Sequence, residues 1–96
     1  MILKMYYVYI VTNVTNDVMY IGITNDLMRR LAEHCAEQIK GFSKKYHTHK
    51  LVYFEEYSDP MTAIAREKQL KSWRRDKKNA LVEMKNPDWM DLGALI

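Results

Sequence analysis

Two tyrosines, an arginine, a histidine and one helical glutamate are the side chains in this sequence best suited to chemistry. Tyr9 stands in Val8-Tyr9-Ile10, and Tyr20 follows eleven residues later in Tyr20-Ile21-Gly22. Side chains alternate across a strand, so if Thr12 and Asp17 close a turn, the two phenols lie directly opposite each other on one face. Gly22 weakens the second strand and marks a place where a ligand or another backbone comes close. Paired tyrosines are also ordinary sheet packing, and this chain has seven of them. Arg30 and His34 are four residues apart, beside an apolar helical stripe of Leu27, Leu31 and Cys35. Both therefore face the sheet and need partners, because unpaired buried charge is expensive. A phosphate would suit the forked donors of the guanidinium, while the plain alternative has both side chains snorkelling at the sheet edge. Arg29 and Glu33 point away and are expected to pair in solvent. Glu67 lies between Ala63, Ile64 and Leu70 in one apolar arc, where a carboxylate pairs with a cation or binds a metal. Its simplest partner is Lys71.

The elements that must position these groups can be read from local patterns. Met5 to Thr12 and Val18 to Thr24 are β-branched and aromatic and form a hairpin around the turn-rich Asn13 to Asp17. Asn25 or Thr24 caps a helix from Asp26 to Glu37. Residues 38–49 form a loop or short helix. Leu51 to Tyr57 is a third strand. Asp59-Pro60 opens a helix reaching Trp73, Asp76 caps a last helix to Met84, and Asn86-Pro87 ends it. Trp89, in the tail, packs back onto the body. The order β-β-α-β-α-α fits an α/β (α+β) fold, a three-stranded sheet flanked by helices, with the first strand in the middle.

Composition narrows the class. A chain of 96 residues with 48% hydrophobic and 28% charged residues forms one folded domain spanning 1–96 and is not disordered. Cys35 is the sole cysteine, which excludes an intrachain disulfide and CxxC zinc pairs. The apolar N-terminus lacks a signal-peptide core and no stretch is long enough to span a membrane, so a cytoplasmic protein is expected. The net charge is +3, but seven Lys/Arg face two acids between Arg66 and Lys78. A second basic cluster holds Lys40, Lys44, Lys45 and Lys50 with His47 and His49. Such patches suit a polyanion, or are simply solvated helix surface.

Tyr9, Tyr20-Ile21-Gly22, Arg30 ten positions later and Glu67 on a later helix resemble the GIY-YIG nuclease superfamily. The likeness is strongest to small stand-alone bacterial members, related to the nuclease domain of the excision-repair incision subunit, through Tyr20-Ile-Gly-Ile-Thr, Arg30-Leu-Ala-Glu-His34 and Ala65-Arg-Glu67-Lys-Gln-Leu-Lys-Ser-Trp73. Two positions depart from the pattern. The first motif reads Val-Tyr-Ile, and Ile23 stands where excision-repair members carry lysine. The resemblance implies an antiparallel sheet and a shallow site holding one divalent ion. Glu67 would bind Mg²⁺ or Mn²⁺, and Arg30 would grip the scissile phosphate of DNA, branched or structured DNA included. Tyr9 would be the base and Tyr20 would orient water, with His34 as an alternative base. Asn79 matches a late family asparagine by spacing, and Lys71, Arg74 and Arg75 would contact phosphate backbone. The resulting expectation is a metal-dependent DNA endonuclease, monomeric and cytoplasmic; the alternative is a nucleic-acid-binding module that keeps the fold without independent cleavage.

Overall fold

The computed structural model describes residues 4–37 and 45–95. Strand β1 (Tyr6–Thr12) pairs with β2 (Met19–Thr24) and with β3 (Lys50–Tyr57), both antiparallel, giving the order β2-β1-β3 with β1 in the centre as expected. Helix α1 (Leu27–Cys35) connects β2 towards β3, and α2 (Pro60–Ser72), α3 (Arg75–Lys85) and a 3₁₀ turn (Leu92–Leu95) follow. Of the segment expected as a loop or short helix, residues 38–44 lie outside the described residues. Lys40 and Lys44 of the second basic cluster lie there too.

The hairpin register differs from expectation. Tyr9 pairs with Gly22, and Tyr20 pairs with Val11. The two tyrosines share a face as diagonal neighbours. The turn explains the shift. Asn13 accepts from the Val18 N–H through its side chain, and Asn16 takes the left-handed region at φ 62. The hairpin therefore closes with Thr12 opposite Met19 and leaves Asp17 outside the ladder. A second irregularity sits on β3, where a bulge between Ile10 and Val11 leaves Val52 without a register partner.

Alternation divides the sheet into two buried faces. Val8, Ile10, Ile21 and Val52 pack with Ala63 and Leu70 of α2 and Val82 of α3, joined by Trp73, Leu81 and a half-buried Trp89. The opposite face carries Tyr9, Val11 and Leu51 against Leu27 and Leu31 of α1. Asn86 locks the end of α3 onto the sheet by donating to Val52 O at 3.0 Å and Met90 O at 2.9 Å. Two helix caps also differ from expectation. Asp26 caps α1 by accepting from Arg29 N, while Thr24 accepts from the Asp26 N–H. Arg74 occupies the cap position of α3 without a side-chain bond, and Asp76 sits inside the first turn, where a carboxylate meets the positive helix end. Asp59 caps α2, and Pro60 opens it, as expected.

Gly22 has a steric reason for being glycine. A Cβ there would run into the hydroxyl, Cζ and Cε1 of Tyr9. Tyr9 is 1% exposed and cannot swing away. Gly22→Ala should therefore destabilise the fold by about 1–3 kcal/mol, the usual cost of overpacking, read as a lower urea midpoint at unchanged slope. An unchanged midpoint would show that the Tyr9 ring is free to move.

Candidate active site

Tyr9, Tyr20 and His34 form a three-ring cluster on the α1 face of the sheet. Ring centroids lie 6.3 Å apart for the two tyrosines, 5.5 Å for Tyr9 and His34, and 5.3 Å for Tyr20 and His34. The Tyr9 hydroxyl is hydrogen-bonded to His34 Nε2 at 3.0 Å. His34 is fully buried and Tyr9 nearly so, whereas Tyr20 is half-buried at the edge strand. Burial raises the Tyr9 phenol well above its ordinary pKa, with Tyr20 adding to the effect and the Arg30 guanidinium opposing it. Burial likewise lowers His34 to about 4, helped by Arg30. The imidazole is thus neutral at neutral pH, matched to a phenol that keeps its proton.

Arg30 reaches the same cluster from α1. Its Nη1 lies 3.3 Å from Glu33 Oε1, so Glu33 pairs with Arg30 and not, as expected, with Arg29, which is exposed. The i,i+3 spacing and the half-buried setting of both groups account for the choice. Its Nε is buried and has no hydrogen-bond partner. An orphaned guanidinium donor beside two phenols and an imidazole is a feature an incoming anion would satisfy. Of the expected stripe, Leu27 is buried and Leu31 half-buried, but Cys35 is exposed.

Glu67 comes from α2, which packs on the other face of the sheet. Ala63 and Leu70 mark the fully buried line of that helix. Arg66 and Glu67 flank the line on opposite sides at 100° per residue. Arg66 is anchored on β3, with Nε and Nη2 each 2.9 Å from the Glu55 carboxylate. Burial alone would raise Glu55, but bonds from Arg66, Tyr53 and Tyr57 outweigh it and hold the carboxyl below its usual range. With Arg66 fixed towards β3, Glu67 lies on the opposite flank of α2. Its side chain is 15% exposed and pairs with Lys71 Nζ at 3.0 Å, the partner expected from spacing.

The remaining basic candidates divide. Arg74 is exposed, with Asp76 at 3.7 Å. Arg75 is committed to the fold. It donates to Asn79 Oδ1 at 2.8 Å, to Asp17 O at 3.0 Å and to Asn16 O, pinning α3 to the hairpin turn. Asn79 is therefore the acceptor that orients Arg75. Sequence reasoning missed this clamp and the Glu55 hub, because both join segments with no shared local pattern.

A single carboxylate suits a hard divalent ion that keeps most of its water, such as Mg²⁺, better than a cage closed by protein ligands, and Lys71, which now pairs with Glu67, would have to give way to it. Among the described residues no helix is long and apolar enough to cross a membrane.

The sequence profile of the GIY-YIG catalytic domain matches residues 5–79. The chain belongs to the GIY-YIG family. This is a nuclease-type family whose nucleases use a divalent metal. Among GIY-YIG relatives, a UPF0213 protein of Haloquadratum walsbyi is 36% identical over 78 residues, covering 81% of this chain and 86% of that one. A UPF0213 protein of Natronomonas pharaonis is 32% identical over 77 residues, covering 80% and 89%. The solution NMR structure of a UPF0213 protein from Bacillus halodurans superposes with a TM-score of 0.58 at 25% identity, covering 91% of this chain and 92% of that one.

The depressed His34 pKa makes the stability of the fold depend on pH. Between about 4 and the unfolded value of 6.5, the unfolded chain binds more protons, so stability rises with pH. Stability of the wild type against urea should fall steadily from pH 7 to pH 4, by up to about 3 kcal/mol. His34→Gln should remove most of that slope, whatever its effect at pH 7. A slope unchanged in the variant would place the titrating group elsewhere.

Proposed function

We propose that this chain is a metal-dependent endonuclease that hydrolyses DNA phosphodiester bonds at the β2 edge of its sheet. The observation that carries this reading is the buried, partnerless Nε of Arg30 beside the Tyr9–Tyr20–His34 cluster. It supports a scissile phosphate held by Arg30, whose fixed charge stabilises the extra negative charge of the transition state.

The burial pattern favours Tyr20 over Tyr9 as the phenol that takes the proton from water. Tyr20 reaches the edge of the cluster, while Tyr9 is sealed beneath it. A phenol has a reference pKa of about 10 and needs a nearby cation to act as a base, a role Arg30 and the phosphate-bound ion would share. Tyr9 and His34 are positioning residues here, holding the Tyr20 ring through packing. Water oxygen attacks phosphorus as its proton passes to the Tyr20 phenolate, the bond to the 3′ oxygen breaks and that oxygen takes a proton from solvent, so the products carry a 5′ phosphate and a 3′ hydroxyl. Glu67 would hold the divalent ion, which supplies charge neutralisation on the leaving oxygen. Lys71, beside Glu67, and the exposed Arg74 face the phosphate backbone without base readout. Arg75 and Asn79 support that surface by anchoring α3. One nuclease-like unit over residues 1–96, acting as a cytoplasmic monomer, completes the proposal.

The Lys71–Glu67 pair favours a second reading, in which nucleic acid is bound and cleavage awaits a partner. Cleavage of branched, nicked and single-stranded DNA with Mg²⁺ or Mn²⁺ separates the two. Arg30→Ala should lose about 10²–10³-fold in rate, as removal of a transition-state donor does. Tyr20→Phe should lose about 10²–10⁴-fold, the range of a general base, and Tyr9→Phe less. Glu67→Ala should abolish cleavage while leaving salt-sensitive binding intact. Activity that survives Glu67→Ala would overturn the site; binding without cleavage in the wild type would favour the second reading.

A further inference from the structure

Among the described residues, and apart from the cluster above, one group of side chains has the composition of a metal centre. Glu37 follows the C-terminal end of α1, and His47 and His49 lead into β3. One donor atom from each lies within 4.8 Å of the others. Glu37 Oε1 is 3.1 Å from His47 Nδ1 and 3.7 Å from His49 Nε2. In a tetrahedral site with metal–ligand bonds near 2.1 Å, donor atoms stand about 3.4 Å apart, and the two distances bracket that value. His49 Nε2 is buried and makes no hydrogen bond.

The backbone is arranged to hold these donors together. Glu37 takes φ 55 and His47 φ 56, both in the left-handed region. The position after a helix that ends this way ordinarily goes to glycine, yet here it carries a carboxylate. His49 N donates to His47 O at 3.0 Å, a tight turn that brings two imidazoles separated by one residue to the same side. Cys35 Sγ, at 3.7 Å from His49 O, ties α1 to that turn.

We propose that Glu37, His47 and His49 bind a divalent transition ion of the zinc class, at a site separate from Glu67. Two imidazoles and one carboxylate select such an ion over Mg²⁺, which prefers an all-oxygen shell. Three protein ligands leave one position for water. The ion would brace the junction of α1 and β3, and α1 carries Arg30 and His34. Its role is to fix that helix end, and it does not depend on the nuclease reading.

Tag-free, metal-stripped full-length protein titrated with zinc by calorimetry tests this. One equivalent should bind, Mg²⁺ should not compete, and the melting temperature should rise with zinc concentration. His47→Ala/His49→Ala should weaken binding by more than about 100-fold, since even outer-shell partners of metal ligands are worth roughly 10–100-fold. Glu67→Ala should bind zinc like the wild type, so failure of either site is seen independently of the other. In the wild type, zinc should move the imidazole ¹⁵N resonances of His47 and His49, a readout that requires no variant. Zinc binding of equal strength in the double variant, or imidazole resonances that do not respond, would overturn the proposal.

Discussion

The hydrogen bond between the Tyr9 hydroxyl and His34 Nε2, closed inside the α1 face, constrains everything around it. A phenol and an imidazole so deeply buried must satisfy each other, since either alone would face a large desolvation cost. Room for the phenol exists only because β2 presents Gly22 opposite Tyr9. The same bond fixes the rotation of α1, and with it the side of the helix from which Arg30 approaches. Tyr20, displaced to the diagonal by the true register, becomes the outer ring of the cluster. One buried contact thus determines which phenol meets solvent and where the guanidinium ends.

The far side of the sheet is governed by charge. Glu55 takes two bonds from Arg66 and one each from Tyr53 and Tyr57, which fixes α2 on β3. A helix held on one flank has its other flank determined, and that flank carries Glu67. Neither face holds a complete reactive set by itself. In the proposed site, the carboxylate and the phenols would meet one phosphate at the margin of β2, the edge strand that carries Tyr20. Arg75 contributes by holding α3 to the hairpin turn that begins this strand.

Much of this was legible in the residues because it depends on local periodicity. The hairpin, the three strands and the Asp59-Pro60 helix start are each dictated by short patterns, and the central position of β1 follows from the helical crossover between β2 and β3. The i,i+4 relation of Arg30 and His34, and of Glu67 and Lys71, follows from helical geometry alone. What escaped depended on details that short patterns do not encode. The register turned on one asparagine side chain and one left-handed residue in the turn, so Tyr9 met Gly22 instead of Tyr20. Glu33 chose between Arg29 and Arg30 according to which was half-buried, and burial is a tertiary property. The Glu55 hub and the Arg75 clamp join segments far apart in the chain. The His47-x-His49 pair looked like part of a basic surface until the fold brought Glu37 beside it.

In the proposed site, groups from both faces of the sheet meet at the edge of β2. The most direct measurement is paramagnetic broadening of backbone amides in ¹⁵N-labelled protein titrated with Mn²⁺ in the presence of thymidine 5′-phosphate. The account predicts that amides around Tyr20 and Gly22, around Arg30, and around Glu67 broaden together at the same Mn²⁺ concentration, and that Glu67→Ala removes all three effects. Broadening confined to α2, with the Tyr20 and Arg30 amides untouched, would contradict it.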